Sequence, residues 1–442
     1  MSVTALDAAA VADAALRHVV TGDAEALATA TDEQLTRFAA NVIHQNVAEQ
    51  SLRLRGRVLA AERMGVAEAA GSDPDDVARR VMTAAEESRS VSPATEVPPL
   101  PEPDAGADAP VAFSDATAHA TPELRADMVA TIAARAKEHG LRAYGFVSTA
   151  RRETAIASSR GVRRRAVSTQ ASSVVVMMGE HGSGYASRHS ADIDSLDVEA
   201  MAREAVDTCL RNQNAAPIDP GTYEVVLAPY AVTDLLEHLS WVGFSALAMQ
   251  EHRSFMQLGE RLMSESVTIR DDCRDPGLFP YPFDYEGVST QPVDIIRAGV
   301  CNAVLYDTPT AQRDGVASTG HSLPQPNTFG AYAAHLVMLP GEQSVEQLIA
   351  PVRRGLYVTR FWYVRDVDPL RTTITGMTRE GTFRIEDGEL RGPVRDLRFT
   401  QSIVDALADV RGISCERRVE LGEGESGVLA PWLHLGAFSF TS

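Results

Sequence analysis

Apolar positions divide the chain into a front half, where helical and alternating patterns mix, and a back half dominated by alternation. The opening MSVTALDAAAVADAALRHVV is alanine-rich with apolar positions at helical spacing, and predicts a helix. LTRFAANVIHQNVAEQSLRLRGRVLAAERMGVAEAAG alternates around turn residues, which predicts a short antiparallel set of strands. SDPDDVARRVMTAAEESR predicts a helix capped by Ser72, with acidic residues in its first turn. VSPATEVPPLPEPDAGADAP, rich in proline and acid, reads as an extended connector with little structure of its own. TPELRADMVATIAARAKEHG is again helical, AYGFVSTARRETAIAS and SSVVVMMGEHGSGYAS are strand-like, and a helix is expected from Asp197 to about Arg211.

After NAAPIDPG the pattern changes, which places a boundary near Gly221. YEVVLAPY leads into one long helix, TDLLEHLSWVGFSALAMQEHRSF, with Leu235, Leu239, Val242, Ala246 and Met249 on an apolar face. SVTIRDD, VDIIRAGVCNAVLYDT, AAHLVMLP, GLYVTRFWYV, GTFRIEDGELRGPVRDLRFT and GVLAPWLHLGAFSFTS all read as extended, and SVEQLIAPVRR as a helix. Asp387-Gly388 is a two-residue hairpin signal, because a type I′ turn needs positive φ at both central residues. Short turns between neighbouring strands imply antiparallel pairing. The expected fold is α+β: a helix-and-strand segment over 1–90, a connector over 91–120, a middle segment over 121–220 packing with the first, and a strand-rich antiparallel domain over 221–442.

Length and charge narrow the function. The 442 residues suffice for two or three cores, and 44% hydrophobic with 23% charged residues fits a soluble globular chain. A net charge of −19 repels nucleic acid and anionic membrane, so neither is an expected partner. Cys209, Cys273, Cys301 and Cys415 form no CxxC pair, which argues against a disulfide framework or a cysteine-only zinc site. The start lacks a basic n-region, and no apolar run approaches the roughly 20 residues that span a bilayer, so the expected location is cytoplasmic.

Candidate chemistry centres on histidines. A zinc-protease helix carries two histidines about a turn apart beside a glutamate. Here Glu237 and His238 stand in reversed order, and the next histidine is His252. On a continuous helix that spacing puts them about 21 Å apart along the axis, too far for one ion held at about 2.0–2.1 Å. No histidine is followed by glutamate anywhere, there is no G-x-S-x-G elbow, and the only lysine is Lys137. The sequence therefore offers no catalytic or metal-ligating set. GSGYAS at Gly182 reads as a tight turn rather than a phosphate loop, and Cys415 as a small buried hydrophobe beside a strand. His321 lies in the loop ASTGHSLPQPN, where Ser318, Thr319, Gly320, His321 and Asn327 are candidate groove-lining residues, with turn chemistry as the simpler account. An enzyme using unusual ligands from His238, His252, His321 and Cys415 is a remoter alternative.

Several blocks together carry a family resemblance. They are RFAANVIHQN, SSRGVRRRAVSTQ, GSGYASRHSADIDSLDVEAMAREA, PIDPGTYEVVLAPYAVTDLLEHL, PFDYEGVSTQPVDIIRAGVCNAVLYDTPTAQRDGVASTGHS, LPGEQSVEQLIAPVRRGLYV and FRIEDGELRGPVRDLRFT, in family order along nearly the whole chain. The chain resembles the TldD/PmbA family of two-subunit metalloproteases. TldD-type subunits carry H-E-x-x-x-H on a helix plus a late cysteine, whereas TldE (PmbA)-type subunits lack them. LLEHLSWVGF occupies that helix here, so the resemblance is to the TldE type. It implies no cofactor in this chain, zinc in a TldD-like partner, and cleavage of unfolded or leader peptides in a shared cavity. Strand edges of the C-terminal domain would then bind peptide by strand addition. The alternative is a non-enzymatic, self-associating modulator of the same family.

Overall fold

The computed structural model describes residues 7–94, 97–106, 110–422 and 427–442. The first six residues of the opening helix and parts of the connector lie outside them. The front half runs α1 (Ala8–Leu16), β1 (Asp23–Ala39), β2 (Val42–Ala60), β3 (Arg63–Ala70), α2 (Pro74–Val91), α3 (Asp115–Ala118), α4 (Pro122–Glu138), β4 (Arg142–Ser158), β5 (Arg163–Met178), β6 (Ser183–Ser190) and α5 (Val198–Arg211). Its six strands form one antiparallel sheet in the order β3-β2-β1-β4-β5-β6.

This sheet is two-faced. Ala24, Ala26 and Ala28 of β1, Leu52 and Leu54 of β2, and Ala155 and Ala157 of β4 share one side, buried with residues of α1 and α2. Farther along that side, Ala143, Val147, Val175 and Met177 pack with residues of α4 and α5. Residues one position out of phase point the other way, as a period of two requires, and they are mostly polar. β1 and β2, of 17 and 19 residues, are long rather than short, β3 has 8, and the first begins at Asp23, ahead of the predicted stretch. The cap of α2 is Asp73, not Ser72. The Asp73 carboxylate accepts the Asp76 N–H at 3.1 Å, and Pro74 fills the first helical position. The described part of the connector is docked: Leu100 is buried, and Asp104 accepts the Ser289 N–H at 2.8 Å and its hydroxyl at 2.7 Å.

The back half runs β7 (Gly221–Leu227), α6 (Pro229–Gly243), α7 (Ala246–Gln250), β8 (Ile269–Asp271), β9 (Val293–Arg297), β10 (Val300–Cys301), α8 (Thr308–Asp314), β11 (His335–Met338), α9 (Val345–Ile349), β12 (Arg354–Asp368), β13 (Thr373–Glu386), β14 (Glu389–Val394), β15 (Arg398–Ser402), α10 (Ile403–Ala408), β16 (Val410–Leu421) and β17 (Gly427–Phe440). Its eleven strands belong to one sheet, so the fold is α+β as expected. The sheet is mixed, which corrects the purely antiparallel expectation. β7 pairs parallel with β12 and β11 pairs parallel with β17. β7, β12, β13, β15 and β17 close into a ring, with Phe361, Phe399 and Phe438 from three of them at centroid distances of 4.4–5.5 Å. The Asp387-Gly388 hairpin turn has φ of 50° and 77°.

Three further expectations need correction. The long helix breaks after Gly243, where a Cβ would strike the Phe255 ring. The chain is then fixed by Ala246 N–H to Leu305 C=O and Leu305 N–H to Phe244 C=O, both 2.8 Å, and Ser245 caps the short α7. SVEQLIAPVRR is helical only over α9, because the chain runs into Pro351. Cys415 is exposed on β16, a strand too polar for its apolar pattern to show.

Candidate functional site

The polar face of the six-stranded sheet and the loops of the back half enclose a chamber of about 490 Å³. Its floor comes from alternate strand positions: Leu27, Thr29 and Glu33 of β1, Arg53 and Arg55 of β2, Ser148, Ala150, Arg152 and Thr154 of β4. Arg53 and Arg55 share Glu68 at 2.8 and 3.2 Å. Arg55 also donates across the chamber edge to the Gln325 carbonyl at 3.1 Å. The roof holds Trp241 from α6, Tyr281, Phe283, the Gly320–Pro324 corner, Tyr332 and His335. Trp241 packs on Tyr332 and Phe329 at 4.6 and 5.2 Å between centroids. Burial pushes the Tyr281 phenol well above its ordinary value.

Two acidic clusters fix the roof. Asp271, the last residue of β8, is fully buried and faces two rings: His321 Nε2 at 3.1 Å and His335 Nδ1 at 3.6 Å. Its other oxygen accepts the His335 backbone N–H at 2.8 Å. Burial works to raise its pKa, and the neighbouring His321 and His335 outweigh that, holding the carboxyl well below its usual range. Asp284 and Glu286, in the PFDYEG block, form the second cluster. Asp284 accepts the N–H groups of Glu286, Val288 and Ser322 at 2.8–3.0 Å. Burial and the neighbouring Glu286 nevertheless push its pKa up. Glu286 accepts the Thr308 N–H at 3.0 Å and reaches Arg57 of the sheet at 3.4 Å, and Arg57 also holds Glu25 at 3.1 Å. The PFDYEG block is thus a clasp between roof and floor.

Of the loop candidates, Gly320 and His321 line the chamber. Ser318 and Thr319 sit beside them and donate to the Tyr306 carbonyl at 3.1 Å. The Thr319 hydroxyl lies 2.9 Å from His321 Nδ1 but also takes the Tyr306 N–H at 2.9 Å, so it closes a turn rather than serving as a nucleophile. Asn327 accepts the N–H groups of Phe329 and Gly330 and stands apart from the lining. Gly320 has φ +74°, and a Cβ there would lie 2.3 Å from the Ser289 carbonyl oxygen. Gly320→Ala is expected to cost about 2–4 kcal/mol of stability, read by urea denaturation. A loss under 0.5 kcal/mol, an arbitrary mark of about the size of ordinary surface effects, would mean the corner yields freely.

Sequence reasoning missed Asp271 and His335. A histidine heading the apolar run LVM was the available signal for His335.

A catalytic metal does not fit α6. His238 Nδ1 bonds Asp366 at 2.9 Å, and a Cβ at Gly422 would overlap the Glu237 carboxylate. His252 lies beyond the helix break at φ +56°, so the two histidines share no helix and the axial-distance argument loses its premise. Among the described residues no group of three or more His, Cys, Asp or Glu is placed to hold a metal ion. No helix among them is long and apolar enough to cross a membrane.

Residues 220–442 match the model of the PmbA/TldA metallopeptidase C-terminal domain, and residues 114–213 that of its central domain. The chain belongs to the PmbA/TldD family. It is 28% identical over 248 residues to a metalloprotease of Methanothermobacter thermautotrophicus, covering 54% of this chain and 53% of that one. It is 28% identical over 193 residues to the metalloprotease PmbA of Escherichia coli O157:H7, covering 42% and 39%. These matches span about half or less of the curated relatives' length. The crystal structure of TldE from Thermococcus kodakarensis superposes with a TM-score of 0.88 over 98% of this chain and 99% of that one, at 19% identity.

Proposed function

We propose that this chain is the TldE-type subunit of a two-subunit metallopeptidase, walling a chamber for unfolded or leader peptides while a TldD-like partner holds the zinc. The observation that carries the reading is the engagement of the α6 side chains, His238 by Asp366 and Glu237 against Gly422, where a metal-bearing subunit would present its ligands. An extended peptide matches the chamber's polar floor, where Thr29, Arg53, Arg55 and Arg152 meet main-chain groups without regard to sequence. Trp241 and Tyr332 take side chains from above, and the Gly320–His321 corner forms one wall. Ser318, Thr319 and Asn327 serve by holding that loop. The setting is cytoplasmic.

The test is purification of the chain alone and with a motif-bearing family partner. The chain alone is expected to hold no stoichiometric zinc and to leave an unfolded casein substrate intact. The pair is expected to bind zinc and cleave it. Stoichiometric zinc and proteolysis from the chain alone would sink the proposal, and self-association without a partner complex would favour a modulator.

A further inference from the structure

Five large apolar residues stand out from the β12–β13 hairpin and its turn: Trp362 (46% exposed), Tyr363 (67%), Val367 (56%), Leu370 (56%) and Met377 (39%). Trp362 and Met377 face each other directly across the ladder. Consecutive residues of a regular strand point to opposite sides, so two adjacent aromatics cannot both face solvent while their neighbours stay in the core. Here the ladder skips between Trp362 and Arg365, and Tyr363 takes φ +54°. The bulge keeps Phe361 and Val364 buried and leaves both aromatic rings outside. A left-handed tyrosine is a strained residue, and strain of this kind gathers at functional surfaces.

The tryptophan is also held ready. The Arg360 guanidinium lies 4.1 Å from the Tyr185 ring centre and 5.2 Å from that of Trp362, with Arg379 4.4 Å from Trp362. Buried Glu380 pairs with both arginines, at 3.4 and 2.8 Å. A ring fixed this way loses little freedom on association. Tryptophan, tyrosine, arginine and methionine are the residues enriched at the centres of protein interfaces. Charge adds direction. Residues 360–380 carry Arg360, Arg365, Arg371 and Arg379 against Asp366, Asp368 and Glu380, a positive surplus in a chain of net −19.

We infer that the β12–β13 hairpin is the docking face for the partner subunit, whose matching surface is apolar at its centre and acidic at its rim. This rests on the two-subunit reading above. A second copy docked through the same face would bring two surfaces of the same net sign together. The hairpin also connects to the chamber: Asp366 holds His238 of α6, and Trp241 on the same helix lines the roof.

The experiment measures binding of the chain to the purified motif-bearing family partner by surface plasmon resonance, at low and high salt. Trp362→Ala with Tyr363→Ala is expected to weaken the complex by about 100-fold or more. Arg365→Glu, at an exposed position that leaves the fold intact, is expected to slow association by about 10-fold at low salt and much less at high salt. Thermal midpoints of both variants are read alongside, and Arg365→Glu decides if the double variant unfolds. Wild-type binding with unchanged variants would overturn the face alone. No wild-type binding would overturn the two-subunit reading with it. A wild-type homodimer that the variants dissociate would make the occupant a second copy and reject the inference.

Discussion

Replacing Arg57 by methionine is expected to lower the unfolding free energy near pH 7.5 by about 3–5 kcal/mol, because it strands two buried carboxylates, Glu25 and Glu286, without their shared cation. The wild-type arrangement sets one guanidinium against two acids, and a single proton makes it neutral. Burial, with Glu286 nearby and Arg57 opposing, raises the Glu25 pKa from 4.5 to about 7. The sign follows from linkage. Between those values the folded chain holds a proton that the unfolded chain has released, so this group's contribution is full below pH 4.5 and falls as pH rises to about 7, by ~3 kcal/mol. Glu25→Gln mimics the protonated acid, so it is expected to flatten that slope and leave stability at pH 5 nearly unchanged. Urea titrations at pH 5, 6, 7 and 7.5 check both variants. An Arg57→Met protein within 1 kcal/mol of wild type at pH 7.5, a mark set well below the 3–5 kcal/mol expected, would show that the clasp is not what joins roof to floor.

The clasp also explains why the chamber was only partly legible in the sequence. The strands of the first sheet were recognisable, but their lengths were not. The positions facing the chamber, such as Thr29, Glu33, Arg53 and Arg152, are polar, so a segment alternating alanine with charge scores weakly as strand. β16 escaped notice for the same reason: the run Glu416, Arg417 and Arg418 interrupts its apolar positions. The parallel pairs β7–β12 and β11–β17 join segments about 90 or more residues apart, beyond any local turn signal. The helix break was nearer to hand, because Ser245 is a capping residue two positions after Gly243.

The loop ASTGHS was legible as a constrained corner, because glycine stands beside histidine between polar residues. What its histidine meets was not. Asp271 and His321 are brought together only when β8 pairs with β11 and the chain after Gly320 folds back over them, and a one-dimensional pattern cannot encode that meeting. The order Glu237-His238 could be read from sequence. The His238–Asp366 bond across to β12 could not.

Asp271→Ala is expected to destabilise the chain by about 3–5 kcal/mol. It removes the acceptor of the His335 N–H and leaves the His321 and His335 rings facing a buried gap. Asp271→Asn keeps an oxygen for that N–H but gives up the charge, and is expected to cost about 2–3 kcal/mol. The pH signature is opposite to that of Glu25. The Asp271 pKa is depressed, so its contribution is present above the ordinary value of 3.8 and lost as pH falls through the lower folded value. Wild type should therefore lose stability on acidification below about pH 4, and the asparagine variant should lose less over the same interval. Hydrogen exchange locates the effect: faster exchange in both variants is expected at 319–323 and 335–338, which carry the two histidines, while the β1–β4 ladder stays protected. Equal protection at the roof in wild type and Asp271→Ala would mean that the aromatic contacts of Trp241 and Tyr332 hold the chamber closed without the buried acid.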